Sequence, residues 1–406
     1  MLKGIANAFR VPELRKKLLL TAGILLLYRF GAYLPVPGVP FQDMLSAYQT
    51  GLSSNGAMAV LNLFSGGALS RMSVFSLGIM PYITAQIILQ LMQAVIPSLG
   101  ELAKEGESGQ RKITQYTRYL TIGLALISSV GYLFLFKSYG VSFANMGIAE
   151  GLQNFIVVFT MLVGAIIIMW LGEVITQRGI GNGMSLIIFA NIMSGLPTSL
   201  ISSVASNGNV VLTVITMLVI VAIIPIIVYV ERGQRRIPIQ YAKRVVGRRV
   251  MGGQATYLPI KVNTAGVVPI IFASAILYLP AQLAVFFPNV GWVQAVANAL
   301  SAGWINWVLS VLLIVAFAYF YSSMVFNPEE TADQLRKQGG FIPGVRPGAA
   351  TAAYIKNTID HVTLPGALFM AVLAVVPSII FWFTGNSLVQ AFGGTSVLIM
   401  VGVAMD

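Results

Sequence analysis

The chain is 406 residues long, 57% hydrophobic and only 9% charged, with a formal net charge of +12 and a mean hydropathy of +0.82. A soluble domain of this size needs far more charge, so the composition is that of an all-α polytopic membrane protein. It holds no cysteine, which excludes disulfides and Cys-ligated metal sites, and its single histidine, His361, excludes His-cluster metal sites and argues against a Ser-His hydrolase.

Gaps between charges divide the chain into ten candidate spans. The first covers about 18–34 and follows a basic start (Lys3, Arg10, Arg15, Lys16, Lys17). It runs on without a convincing cleavage site, so it is expected to stay as a span. It contains Arg29, which costs roughly 3 kcal/mol at mid-bilayer and is expected to reach toward the far interface. Residues 65–68, closed by Arg71, form a small-residue segment too polar and too short to cross a bilayer alone, and are read as a flexible, weakly anchored element beside an internal cavity, because non-helical backbone at membrane depth needs protein or water around it. Span two follows at about 76–96, interrupted at Met80-Pro81, and 97–118 reads as a charged, Gly-rich linker. Spans three and four cover about 119–136 and 155–171.

The uncharged run 179–230 is too long for one crossing. Breaks at Gly195, Pro197 and 206–209 split it into span five (183–200) and span six (210–230). Spans seven and eight are about 266–286 and 304–326. Span nine, 362–383, holds Pro365 and Pro377, and a tenth opens at 393–395 with only a dozen residues before Asp406.

Of the 25 basic residues, all but Arg29, Arg71 and Lys137 fall on the face that receives the N-terminus and the loops 97–118, 172–183, 231–265 and 327–361. The positive-inside rule makes that face, and both termini, cytoplasmic. Loop 231–265 carries eight basic residues, among them Arg248 and Arg249, against the one acid Glu231. That exceeds what topology requires and fits anionic lipid, an acidic protein face or an RNA backbone. In the second large loop two prolines and two glycines within 341–348 form a tight turn that pushes Arg346 outward as a docking tip.

Gly179-Ile180-Gly181-Asn182-Gly183 lacks the spacing of a phosphate loop and reads as a turn opening span five. No Asp or Glu lies near the centre of a span, which lowers the reading as an ion-coupled solute transporter of inverted-repeat type. No nucleophile and base pair is visible within the spans, so an intramembrane enzyme is weaker still. Ile79 and Ile83 lie four apart, as do Met184 and Ile188; such pairs pack helices ordinarily, and around a pore they form a constriction that excludes water and ions.

The stretches 62–71 (NLFSGGALSR), 77–90, 105–119, 170–183, 231–244, 326–335, 340–348 (GFIPGVRPG) and 392–406 resemble, in order, those of the SecY/Sec61-alpha family, over essentially the whole chain. The resemblance implies ten transmembrane helices in two pseudo-symmetric five-helix halves around an hourglass pore, residues 1–195 and 210–406, joined by a hinge loop at 196–209. It implies a plug formed by Phe64, Ser65, Gly66, Gly67, Ala68, Leu69, Ser70 and Arg71, and a pore ring of Ile79, Ile83, Met184, Ile188, Ile271 and Ile399, with Met184 replacing a more usual isoleucine. It implies a lateral gate between spans two and three and spans seven and eight, near Thr84 and Leu279, and docking of the SecA motor ATPase or the ribosome at Arg248, Arg249 and Arg346. The expected partners are SecE, SecG, SecA, the ribosome, signal-bearing precursor proteins and membrane lipid. No cofactor, metal or catalytic residue is expected. The family completes span ten and adds a cytoplasmic tail beyond the point where this sequence ends.

Overall fold

The computed structural model describes residues 11–40, 44, 62, 65–138, 141, 149–207, 210–241, 244–246, 249–251, 256–286, 290–301, 303–384 and 394–405. The chain packs as two compact units: Met1–Ser202 with Ala275–Asn306 and Asp406, and Ser203–Ser274 with Trp307–Met405.

In the first unit α1 (Pro12–Gly31) begins with a proline, whose missing N–H is no loss in a first turn, and ends with Arg29, a cation suited to the negative end of the helix dipole. Beyond it the chain turns back as an extended strip. Val36 N donates to Met72 O at 3.0 Å and Val74 N to Leu34 O at 2.9 Å, around a single bridge between Pro35 and Ser73.

Helix α2 (Met80–Val95) buries Met80, Ile83, Ala85, Ile87 and Leu89 and stops at Ile96. Ile96 is extended because the ring of Pro97 disfavours a helical residue before it, and the axis then turns by 103° into α3 (Pro97–Lys104). Helix α4 (Glu107–Ser138) starts twelve residues before the expected span, inside the stretch read as a linker. Its charged first turns are good helix formers, and Glu107 pairs with Arg111 one turn on at 2.8 Å.

Helix α4 packs between α2 and α5 (Glu150–Arg178), and α5 also packs on α1. The turn 179–183 is tight, as expected: Gly181 has φ +65°, and Asn182 Oδ1 accepts the N–H groups of Met184 and Ser185 at 3.0 and 3.4 Å, capping α6 (Gly183–Asn207). Helix α6 continues through Pro197 to Asn207, so most of the segment expected as a hinge loop is helical.

The second unit takes in the end of α6 from Ser203 and continues with α7 (Val210–Glu231). The long basic stretch after it is not irregular. β1 (Gln234–Tyr241) runs antiparallel to β4 (Thr256–Lys261), with Ile237 opposite Leu258, while β2 (Arg244–Val246) and β3 (Arg249–Met251) form a second small hairpin between them. Pro238 is tolerated because β1 meets its third strand only at Gln240 and Tyr241.

Helix α8 (Val268–Phe286) begins in this unit and ends in the first, followed there by α9 (Gly291–Ser301). α10 (Trp304–Val325) leads into α11 (Pro328–Lys337), capped by Asn327 Oδ1 on the N–H groups of Glu329 and Glu330. β5 (Gly340–Phe341) completes the sheet order β4-β1-β5, and α12 (Ala349–Thr384) and α13 (Gly394–Met405) close the described chain. Prolines 365 and 377 both lie inside α12, which begins thirteen residues before the expected span nine.

Among the described residues the helical stretches Glu107–Lys137, Glu150–Arg178, Trp304–Lys337 and Ala349–Ile380 are long and apolar enough to cross a membrane, and the bent pair α2–α3 passes the same test jointly.

Candidate functional site

The small-residue segment that resembles a plug is built around Asn62. Its carbonyl accepts Gly67 N at 2.8 Å and Ser65 Oγ at 3.0 Å, and its side-chain oxygen accepts Ser70 N at 3.0 Å. Ser65 Oγ in turn accepts Leu69 N at 3.2 Å, and Ser70 Oγ donates to Gly67 O at 2.9 Å. Serine and asparagine suit this work because their short side chains reach neighbouring backbone and so replace the helix or sheet ladder. Ser65, Ala68, Leu69 and Met72 are buried.

The segment is therefore not weakly anchored: its described residues bond among themselves and to the strip after α1. Met72, fully buried at φ +42°, sits in the left-handed region that a bulky side chain resists, at a cost of about 1–2 kcal/mol held by the surrounding bonds. Phe64 lies outside the described residues.

Arg29 does not simply reach for an interface. Its Nη1 donates to Gly66 O at 3.1 Å, and its guanidinium stands 5.4 Å from the centre of the Tyr33 ring. Arg71, at the other end of the segment, lies 4.3 Å over the same ring. Below, Tyr28 stacks on Phe75 at 5.5 Å, and the Phe75 ring occupies the place a side chain at Gly31 would need.

Four of the expected ring residues lie in the first unit, all buried: Ile79 just before α2, Ile83 on α2, and Met184 and Ile188 on α6. The placement of α6 depends on two glycines, since a Cβ on Gly183 would strike the Gly172 carbonyl and one on Gly172 would strike Met184 Sδ. In the second unit Ile271 on α8 and Ile399 on α13 are also buried. There α13 packs on α7 and α12, and Gly402 fits against Val267. Thr84 is half-buried on α2, Leu279 is 40% exposed on α8, and among the described residues no hydrogen bond or ring contact joins them.

The strand that carries Arg235 and Arg236 and the turn that carries Arg346 belong to a folded body with a core of its own. Ile237, Ile239 and Ile260 from the sheet pack with Leu335, Ile342, Ile355 and Ile359 from the second large loop and the start of α12. On its rim Arg236 lies 4.7 Å over the Tyr257 ring. Arg346 is exposed at the tip of a turn in which Gly344 and Gly348 have φ +83° and +109°, and Thr351 Oγ1 donates to the Arg346 carbonyl at 2.9 Å. Arg249 opens β3, and Arg248 lies outside the described residues.

Two features escaped the reading of the sequence. Asn191, fully buried on α6, donates to Tyr28 Oη at 2.8 Å; an asparagine within an apolar span was the available signal. Glu173 on α5 is held at both oxygens by Arg118 of α4, a partner 55 residues away in the chain.

The SecY family model matches residues 73–406. Protein translocase subunits SecY of Streptomyces coelicolor and of Mycobacterium tuberculosis are each 44% identical to the chain, over 100% of its length and 96% of theirs; that of Corynebacterium glutamicum is 43% identical with the same coverage. A solved structure described as that of a protein conducting channel is similar with a TM-score of 0.64 at 20% identity, covering 96% of this chain and 90% of the other. Sec61 in a canine ribosome-channel complex from the endoplasmic reticulum is similar with a TM-score of 0.59 at 18% identity, with the same coverage. These two likenesses speak for the fold. With matching apolar helices, an internally bonded small-residue segment and full-length identity to the translocase subunits, the chain belongs to the SecY family.

Proposed function

We infer that this multi-pass membrane protein is the channel subunit of a protein translocase, passing unfolded secretory polypeptides across the membrane and releasing signal or transmembrane helices sideways into lipid. The observation that carries this is the identity to SecY subunits along the entire chain. It is a channel and not an enzyme; the driving energy comes from a partner. The relatives and structures described above are translocase subunits and channels, and none favours a solute transporter.

The physical requirements agree. A translocating polypeptide needs an aqueous path, while a signal helix gains a few tenths of a kcal/mol per apolar residue on reaching lipid, so one pore with a lateral seam serves both. At rest the path must exclude ions. A ring of Ile79, Ile83, Met184, Ile188, Ile271 and Ile399 over a plug at 64–71 suits that task, and Met184 is bulky and adaptable enough to seal. The reading places the seam near Thr84 and Leu279 and divides the chain into halves 1–195 and 210–406 of five spans each. It places both termini in the cytoplasm and the protein in a bacterial inner membrane. SecE and SecG are its proposed small subunits, and SecA or the ribosome docks at Arg248, Arg249 and Arg346.

The test is reconstitution of the protein with a SecE-like partner in liposomes, followed by SecA, ATP and a signal-bearing precursor. ATP-dependent protection of the precursor from added protease is the expected result. No protection by a correctly inserted, partner-bound protein would overturn the reading, and small-solute uptake would then be assayed.

A further inference from the structure

We propose that Arg29 and Asn191 form a two-sided latch on the Gly66 peptide, and that Asn191 couples this latch to the helix bearing Met184 and Ile188. The proposal rests on the reading of 64–71 as a plug and adds what holds it shut and what releases it.

The first side is the Arg29 hydrogen bond to Gly66 O. An arginine near the end of an apolar helix is expensive without partners, and those described for Arg29 are a carbonyl and an aromatic face. Neither carries a full negative charge, so the grip is directional and still reversible. A carboxylate in the same place would bind the guanidinium through two bonds and hold it far more firmly.

The second side is Asn191. Gly66 has φ +65°, and a Cβ there would lie 2.5 Å from Asn191 Oδ1 and 2.7 Å from Arg29 Nη1. The Gly66 peptide therefore lies between these two side chains, at a backbone angle that side chains other than glycine rarely adopt. Asn191 is fixed in turn by donating to the phenol oxygen of Tyr28, the neighbour of Arg29 in sequence, with both residues fully buried. Tyr28 stacks on Phe75, which follows the segment in the chain. The contacts thus close a circuit from α1 through the segment to α6 and back.

Asn191 stands three residues after Ile188 and seven after Met184, so the three share one face of α6 over two turns. A shift of α6 that widens the ring at Met184 and Ile188 carries Asn191 with it and withdraws one wall from Gly66. The buried amide–phenol bond resists that shift until something compensates for it, because an unpaired polar group is costly in a dry site. Opening of the ring and departure of the segment are then one event.

The experiment uses the complete chain with its small partner subunits in planar bilayers and proteoliposomes. Because the sequence has no cysteine, Ala68→Cys supplies a single thiol at a buried position of the segment whose side chain makes none of its hydrogen bonds. Resting ion conductance and the labelling rate of that thiol by a membrane-impermeant maleimide are measured in parallel. Arg29→Gln and, independently, Tyr28→Phe, which keeps the stack on Phe75 and removes the oxygen bonded by Asn191, are each expected to raise both readouts. A roughly tenfold rise corresponds to about 1.4 kcal/mol of lost closure. Arg29→Lys, which retains a donor and the charge, is expected to recover most of the seal.

Deletion of residues 66–70 separates the two claims. If the deletion leaks while Tyr28→Phe and Arg29→Gln leave conductance and labelling unchanged, the latch is refuted and the plug stands. If the deletion leaves conductance at the intact level, the plug reading falls and the latch with it. Should Arg29→Gln fail to assemble, Tyr28→Phe decides alone.

Discussion

The guanidinium of Arg118 grips the carboxylate of Glu173 along one edge, Nε to Oε1 at 2.8 Å and Nη2 to Oε2 at 2.6 Å, joining α4 to α5. The two partners are unequally wet: the Glu173 side chain is 10% exposed and that of Arg118 is 40% exposed. Truncating the arginine strands a nearly buried carboxylate, whereas truncating the glutamate leaves a guanidinium that water reaches. Arg118→Ala is therefore expected to destabilise the protein by about 2 kcal/mol, and Glu173→Ala by about 1 kcal/mol or less. Thermal unfolding of the purified protein in detergent checks the order; the reverse order would contradict this account of the pair.

Gly183 begins the helix that carries Met184 and Ile188, and a Cβ there meets the backbone carbonyl of Gly172 and stands 2.7 Å from Ile175 Cβ. Backbone cannot yield as a side chain does. Gly183→Ala is expected to lift the start of α6, lower stability by about 1–3 kcal/mol and increase resting leak. Conductance measurements with this variant beside Gly181→Ala, where φ is +65° but the space around a Cβ is open, distinguish a collision from a simple loss of turn geometry.

Ile355 is fully buried in the core shared by the sheet and α12. Ile355→Ala removes volume from a closed site and is expected to cost about 2–5 kcal/mol locally. Limited proteolysis should cut the stretch 231–265 faster in the variant. Resting ion conductance should not change, because the cavity lies outside the segment that contains residues 65–79.

Arg346 lies at the exposed tip of the same body, its backbone fixed by Thr351. Arg346→Glu should leave the fold and protease pattern intact while reducing motor-driven transport at least roughly tenfold, since juxtaposing like charges on a docking surface costs several kcal/mol. Export at the parent rate would remove Arg346 from the docking surface.

The readable part of this structure was what length and local chemistry set. Apolar stretches located the helices, Asn182 and its glycines gave the turn before α6, and the Pro-Gly pairs around Arg346 gave an exposed tip. What could not be read depends on partners distant in the chain. Arg29 looked like a residue seeking the interface because its partner, the Gly66 carbonyl, has no signature of its own. The start of α4 was hidden by charge, which marks a loop as readily as the exposed turns of a helix. The strands of the basic stretch were hidden by Pro238 and Pro259, which are harmless because β1 meets β5 only beyond Pro238, at Gln240 and Tyr241, and because β4 is an edge strand.

The core that unites the sheet with α11 and α12 also sets an order of events at the ribosome that makes this protein. The strands β1 and β4 are complete at Lys261, but Leu335, Ile342, Ile355 and Ile359, which cover their apolar side, come roughly 75–100 residues later. At about 5–20 residues per second the nascent sheet waits on the order of 4–20 s with Ile237, Ile239 and Ile260 uncovered. During that interval its strand edges and apolar face are open to wrong partners, and the closing step waits until Ile355 and Ile359 have been made.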